Sequence, residues 1–257
     1  EVDKYVFQYA NEMFLIEMPN LQIAGSWAFR GMMGISGFDF PKLKRIGKQT
    51  FTNNNMRYAY FPELEECGGQ AFSGCKNLTS VNIPNSVTTI GSAAFQSCTS
   101  LTSCTIGSGV TSIGDWAFSN CGLTSIDIPD SVTGIAGYAF YNCKNLSEVK
   151  LSTGWNTTDI TSGSSTYDSR SPFYGCTKLT EITIPEGMTT IPSYAFYECT
   201  SLKRLVLPEG LERIGRSAFY NCQNILSLTV PGSVEVISPY AFYGCVGIGA
   251  TLQGETD

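Results

Sequence analysis

One motif, Phe-x-x-Cys, recurs along most of this 257-residue chain and constrains its fold more than any other feature. Eight copies follow one another at spacings of 23, 23, 22, 33, 23, 23 and 23 residues. They end at Cys75, Cys98, Cys121, Cys143, Cys176, Cys199, Cys222 and Cys245. A nearly constant period of this length is the sequence signature of a solenoid, in which each repeat stacks on its neighbours.

The repeat unit contains more than the motif, as residues 78–100 illustrate. Its frame reads L-x-x-I-x-I-P-x-x-V-x-x-I-x-x-x-A-F-x-x-C-x-x, and degenerate copies precede it. The frame predicts about ten rungs, each being one turn of the solenoid. They start near residues 13, 35, 56, 78, 101, 123, 146, 179, 202 and 225, and Ile248 would open an eleventh.

Each rung begins with a predicted strand. Val81 and Ile83 alternate with polar residues, which predicts a short strand with both side chains inward, and Pro84 ends it because proline cannot donate a ladder hydrogen bond. A single rung buries too few apolar side chains to offset its conformational entropy. Stacking is therefore required, and it joins the strands of successive rungs into a parallel sheet.

The recurrence together of the I-P, I-G-x-x-A-F and F-x-x-C elements resembles the BspA-like leucine-rich repeats, from about residue 13 to residue 248. The resemblance implies a leucine-rich-repeat solenoid of 21–23-residue rungs, with one parallel β-sheet on its concave face and short or irregular convex segments. It also implies a secreted or cell-surface bacterial protein, many such proteins being regarded as adhesins. The family brings no catalytic residues.

Three segments follow from this frame. Residues 1–12 are predicted to be an N-terminal cap, and residues 13–257 to form the solenoid. The long spacing between Cys143 and Cys176 predicts a loop insertion of about ten residues within about 156–171. Such a loop either lies on a binding face or is merely tolerated at the surface.

Composition excludes several classes of function. The net charge of −6, without a basic run, argues against nucleic-acid partners, and no apolar run is long enough for direct membrane insertion. Without histidine, no imidazole can act as a base or bind a metal. We therefore expect no enzyme activity, cofactor or metal. The cysteines occupy core positions and are interpreted as buried free thiols, with disulfides and metal ligation as the alternatives.

Two surface features are candidate ligand contacts. A tyrosine follows the repeat phenylalanine in five consecutive rungs, and aromatic residues also occur two positions before it. The tyrosines are Tyr141, Tyr174, Tyr197, Tyr220 and Tyr243, and the other aromatic residues are Trp116, Tyr138, Tyr194 and Tyr240. These rings are predicted to face outward, either as a contact surface for protein or sugar or as a stack that only stabilises the coil.

The second feature is a group of charges on the outward positions of successive strands: Asp127, Glu148, Lys150, Glu181 and Arg204. It is either a ligand contact or a solvated patch in which the charges neutralise one another. A glycosidase pair formed by Glu148 and Glu181 is the least favoured interpretation. The preferred function is a secreted or cell-surface adhesion module for a host or neighbouring-cell protein or glycan. The alternative is a structural spacer with no ligand of its own.

Overall fold

The computed structural model describes residues 1–155 and 171–246, together with the backbone of residues 249–252. This part of the chain contains nineteen β-strands and no helix. In chain order the strands are β1 (Ile23–Ala24), β2 (Gly37–Asp39), β3 (Arg45–Ile46), β4 (Tyr58–Tyr60), β5 (Glu66–Cys67), β6 (Ser80–Ile83), β7 (Thr89–Ile90), β8 (Ser103–Ile106), β9 (Ser112–Ile113), β10 (Ser125–Asp127), β11 (Gly134–Ile135), β12 (Glu148–Lys150), β13 (Glu181–Thr183), β14 (Thr190–Ile191), β15 (Arg204–Val206), β16 (Arg213–Ile214), β17 (Ser227–Val230), β18 (Val236–Ile237) and β19 (Gly249–Leu252).

The strands form two columns, and every pairing between described strands is parallel. The first column is the predicted one and consists of β2, β4, β6, β8, β10, β12, β13, β15, β17 and β19. Its last member, β19, opens the predicted eleventh rung by pairing with β17. The predicted solenoid of stacked strands is therefore confirmed.

A second column of two-residue strands runs along another side of the coil. Six of them form one sheet in the order β1-β3-β5-β7-β9-β11, and β14, β16 and β18 form another. In the sequence this region shows only two apolar positions three residues apart, such as Val87 and Ile90. Two-residue strands are too short for an alternating pattern, so the sequence predicts one sheet where the structure has strands on two sides.

The third side of each rung is a turn that places the repeat phenylalanine in the core. The rings of these phenylalanines stack through the length of the coil, for example Phe72 on Phe95 at 5.1 Å between ring centroids and 2° between planes. The residues two before and two after the phenylalanine have left-handed backbones in most rungs, such as Ala93 (φ 54°) and Ser97 (φ 60°) around Phe95. These paired left-handed residues let the chain turn around the ring within five residues.

The repeat cysteines close the rungs as free thiols. Each thiol donates to the backbone carbonyl of the phenylalanine one rung earlier, as Cys98 Sγ does to Phe72 O at 3.1 Å. Burial raises the pKa of Cys75 and of Cys143 to about 12. The predicted buried thiols are thus present in seven rungs, whereas Cys245 is half-buried and burial raises its pKa to about 11.

The weakest copy of the repeat differs from the others. Its predicted first strand, around Ile16 and Met18, is absent, and Phe14 and Leu15 are exposed. Its second half is regular, because β1 and Phe29 take their expected places. Irregular loops bring the chain to this first regular half-rung.

Residues 1–12, predicted to be a cap, lie on this half-rung and use the hydrogen-bond pattern of the coil. Val2 N donates to Ile23 O at 2.9 Å, and Phe7 N donates to Ala28 O at 2.7 Å. The Phe7 ring stacks on Phe29 at 5.4 Å. The domain boundary at residue 13 stays a prediction.

The long rung between Cys143 and Cys176 has a modified core. Trp155 is fully buried at the position that Val87 holds in the repeat of residues 78–100, and its ring makes an edge contact with Phe173 at 6.3 Å. The predicted loop at 156–171 lies outside the described residues except for Ser171.

Candidate functional site

The five tyrosines Tyr141, Tyr174, Tyr197, Tyr220 and Tyr243 form a continuous stack, here called the tyrosine column. Successive ring centroids are 5.5, 6.1, 4.8 and 4.9 Å apart, with planes within 18° of parallel. The first four are half-buried and Tyr243 is exposed. The phenylalanine that precedes each tyrosine holds it at the surface, because consecutive side chains in this turn point to opposite sides.

Further aromatic side chains extend the column sideways. Trp116 stacks on Tyr138 at 4.5 Å, and Tyr138 meets Tyr141 edge to face at 5.4 Å. Near the other end Tyr240 contacts Tyr243 at 6.0 Å, and the guanidinium of Arg216 lies 5.7 Å from the Tyr240 ring centroid. The result is one connected aromatic surface spanning the rungs from Trp116 to Tyr243.

One carboxylate belongs to this surface. Burial of Tyr174 together with the charge of Glu198, which accepts a hydrogen bond from the phenol, raises the Tyr174 pKa above its ordinary value. The phenol is therefore protonated at neutral pH and acts as a hydrogen-bond donor. The tyrosine column thus offers ring edges and polar groups to a partner.

The five charged residues lie on the first column of strands, as predicted, and are here called the charge patch. Lys150 Nζ lies 3.1 Å from Asp127 Oδ2, and Arg204 Nη1 lies 3.4 Å from Glu181 Oε1. All four side chains are more than half exposed, so these ion pairs contribute little to stability. Their alternating signs neutralise most of the charge that the patch would present to a ligand.

A groove of about 800 Å³ opens within the charge patch where β12 and β13 meet. These strands pair only at Lys150 and Thr183, whereas neighbouring strands such as β13 and β15 pair at three positions. Glu148, Lys150 and Glu181 line the groove, together with Asp130, whose pKa is lowered by a hydrogen bond from the Thr153 backbone N–H. The tyrosine column lies on a different side of the coil, so the two predicted features do not form one site.

A second groove, of about 640 Å³, lies beside Trp116 on the turn side of the coil. The sequence-based prediction missed it, because it is created by a small residue, Ala93, at a position where Trp116 and Tyr138 stand in the next rungs. Aligning the residue two before each repeat phenylalanine would have revealed this interruption.

The repeat frame also matches a known family. A family model for the BspA-type leucine-rich repeat region matches six copies, over residues 1–81, 65–167 and 152–249. The chain belongs to the BspA-type leucine-rich repeat family. No curated protein sequence matches it at a significant level.

Solved structures of other leucine-rich repeat proteins share this fold. A leucine-rich repeat protein from Bacteroides ovatus matches 98% of this chain with a TM-score of 0.78 and 24% identity, and the match covers 65% of that protein. The chain thus spans less than two thirds of that relative. The pneumococcal vaccine antigen PcpA matches 90% of this chain and 67% of its own (TM-score 0.54, 23% identity). A leucine rich cell surface protein from Faecalibacterium prausnitzii matches 98% of this chain and 83% of its own (TM-score 0.54, 24% identity).

Membership of the BspA-type family places the candidate residues in context. The frame of the repeat explains the inward side chains, whereas it requires neither the tyrosine column nor the charge patch. Within the described residues, no group of three or more histidine, cysteine, aspartate or glutamate side chains is arranged to hold a metal ion. None of the described secondary structure is a long apolar helix that could cross a membrane.

Proposed function

We propose that this BspA-type solenoid is a secreted or cell-surface binding module that adheres to a macromolecule through its tyrosine column. The partner is a host or neighbouring-cell surface protein or glycan. The stack from Tyr141 to Tyr243, which lies at the surface with four half-buried rings and one exposed ring, is the observation that carries the proposal. Tyrosine gives a large contact area at a low cost in side-chain entropy, which is why it is enriched in interfaces.

The repeat itself does not need these tyrosines. Earlier rungs carry Ser73, Gln96 and Ser119 at the same position, and their phenylalanines stack as regularly as those of the later rungs. A run of tyrosines that begins at Tyr141 and not before is expected of a ligand surface rather than of the fold.

The aromatic residues two before the phenylalanine support the same proposal. Trp116, Tyr138, Tyr194 and Tyr240 all have φ close to +60°. Gln49, Gln70 and Ala93 adopt the same backbone conformation at this position in other rungs. The turn therefore does not require aromatic rings there, and the rings that are present enlarge the aromatic surface.

The alternative function is a structural spacer. One observation favours it: the tyrosine rings already bury part of their apolar surface by stacking on one another. The two functions differ in a binding assay. The purified chain is screened against immobilised host proteins and glycans, and a binder is then tested against the Tyr197→Ser/Tyr220→Ser variant.

A saturable binder whose affinity falls in the tyrosine variant supports the proposal. The matched control is Glu181→Gln/Arg204→Gln, which alters the charge patch on the other side and leaves the tyrosine column intact. A binder lost only in the control would move the site to the charge patch. A chain without any binder would be a spacer.

A further inference from the structure

The groove beside Trp116 has the composition of a sugar-binding site. The groove is formed at one position of the repeat, which is the residue two before each repeat phenylalanine. In consecutive rungs this position holds Trp27, Gln49, Gln70, Ala93, Trp116 and Tyr138. All six have left-handed backbones with φ between 54° and 60°, so their side chains leave the coil in the same direction and stand one above another. Ala93 is the only small side chain among them, and its buried methyl group forms the floor of the groove.

One wall of the groove is an amide whose orientation is fixed by its neighbours. The indole N–H of Trp27 donates to Gln49 Oε1, and Gln49 Nε2 donates to Gln70 Oε1. Because an indole N–H can only donate, the Gln49 amide must present its oxygen to Trp27, and the direction of the second hydrogen bond follows. The NH2 group of Gln70 therefore ends this ladder at the groove, where the Ala93 methyl group cannot accept a hydrogen bond.

The opposite wall is the indole of Trp116. Tyr138 covers one face of this ring at 4.5 Å, and the ring lines the groove from the other side. Gln70 and Trp116 are two rungs apart, which is about 9.6 Å at the usual strand spacing of roughly 4.8 Å. A saturated ring in van der Waals contact with the indole, about 4 Å away, would lie about 5.6 Å from the level of Gln70. A hydroxyl group that points toward Gln70 and an amide that points toward the groove would together span this distance with one hydrogen bond.

The rim of the groove adds polar groups of both charges. Gln96 contributes a second amide, Asp115 a carboxylate that accepts from hydroxyl groups, and Lys48 an ammonium group that donates. Ser92 and Gly69 complete the lining beside Ala93. An aromatic platform facing amides and a carboxylate complements a pyranose, which has an apolar C–H face and a girdle of hydroxyl groups.

We propose that this groove binds one or two pyranose units of a neutral glycan, stacked on Trp116. A nucleotide fits less well, because its phosphate would approach a chain of net charge −6 beside Asp115. An extended peptide fits less well because the groove lies on the turn side, away from a strand edge that could pair with a peptide backbone. The inference rests on the proposed binding role but concerns different rungs from the tyrosine column.

The test combines an array of neutral plant, animal and bacterial glycans with fluorescence titration of the strongest oligosaccharide found. The chain has three tryptophans, of which Trp155 is fully buried and Trp27 is already stacked on Tyr5 and hydrogen-bonded to Gln49. Quenching or a spectral shift on adding sugar therefore reports mainly on Trp116. We expect saturable binding by the unmodified chain.

Two variants alter the groove in opposite ways. Trp116→Ala removes the platform, and Ala93→Tyr fills the gap with a ring in a backbone conformation that Trp116 and Tyr138 already adopt. Each is expected to weaken glycan binding at least tenfold. Since Ala93→Tyr removes no packing, it keeps the test decisive if Trp116→Ala does not fold.

The matched control is Ser217→Tyr, because Ser217 is the small residue at the same repeat position in a later rung and has a similar φ of 52°. It and Tyr197→Ser/Tyr220→Ser are expected to keep the affinity for the glycan. The inference is overturned if no glycan on the array binds, or if a bound glycan tolerates Ala93→Tyr. It is also overturned if Ala93→Tyr abolishes the binding of a protein ligand and leaves glycan binding unchanged. Loss of glycan binding in the tyrosine variant alone would instead assign the sugar to the tyrosine column.

Discussion

Phe140 and Phe173 stack at 5.2 Å between ring centroids with their planes within 3°, although 33 residues separate them. Phe118 and Phe140, which are separated by 22 residues, stack at 5.3 Å and 5°. The extra residues of the long rung thus leave the stacking of Phe140 on Phe173 unchanged, and only the next pair, Phe173 and Phe196, is slightly wider at 5.8 Å and 14°. The stack is the element that all rungs share, and the variable side chains are arranged around it.

The first prediction contrasts neighbours in one rung. Phe219→Ala should lower the free energy of unfolding by about 3–5 kcal/mol, because it leaves a cavity between two stacked rings in the core. Tyr220→Ser should lower it by only about 1–2 kcal/mol, because it removes two stacking contacts at the surface. Urea denaturation followed by circular dichroism measures both. Equal losses would show that the tyrosine column is as structural as the core.

The second prediction concerns a small cavity. An apolar space of about 20 Å³ is lined by Ala59, Val81 and Phe72 among others, and Ala59 stands where the next rung has Val81. Ala59→Val should fill it and raise the free energy of unfolding by about 0.5–1 kcal/mol. Ala71→Val, at a fully buried alanine outside this lining, is the matched control and should destabilise the chain through overpacking. A loss of stability in Ala59→Val would contradict the prediction.

The third prediction is a dependence of stability on pH. Burial raises the pKa of Cys75 and Cys143 to about 12 from an ordinary value of 9.0. Above pH 9 the unfolded chain loses thiol protons that the folded chain keeps, so each such cysteine lowers the free energy of unfolding by about 1.4 kcal/mol per pH unit up to pH 12. The stabilising effect is complete below pH 9 and is lost above it.

Denaturation midpoints from pH 8 to pH 11 measure this effect. A variant with Cys75→Ala and Cys143→Ala should be less stable at pH 8 but should lose stability more slowly above pH 9 than the unmodified chain. Thiol labelling is an independent check: the two half-buried cysteines, Cys104 and Cys245, should react first, and the buried cysteines only after denaturation. An unchanged slope in the variant, or rapid labelling of Cys143 in the folded chain, would contradict the burial of these thiols.

The fold could be predicted from the sequence because its core is periodic. The same frame puts Phe95 and Cys98 inward in every rung, so one correct repeat alignment predicts the strands and the stack. The second column of strands could not be predicted, since pairs such as Thr89–Ile90 are too short to show alternation. The burial of Trp155 in the core could not be predicted either, because Trp155 lies in the long rung, where the repeat period is interrupted.

The candidate sites were predictable only in part. Outward positions are free to vary, so the tyrosine column and the charge patch appear in the sequence as departures from the repeat, and the structure places both at the surface. Predicting that the two features lie on different sides of the coil would require the turn geometry around each phenylalanine, which the sequence does not show. The groove beside Trp116 exists because the side chain of Ala93 is much smaller than those at the same position in the neighbouring rungs. A search for chemically active residues does not detect such a difference in size.

Parallel measurement of ligand binding and thermal unfolding in the Tyr197→Ser/Tyr220→Ser variant tests the central claim most directly. We expect the variant to remain folded, with a melting temperature lowered by no more than about 10 °C, because only surface stacking is lost. Its affinity for the macromolecular ligand should fall at least tenfold, while Glu181→Gln/Arg204→Gln keeps full affinity. Unchanged binding in the tyrosine variant, or a collapse of the fold at ambient temperature, would contradict a tyrosine column that serves as a contact surface.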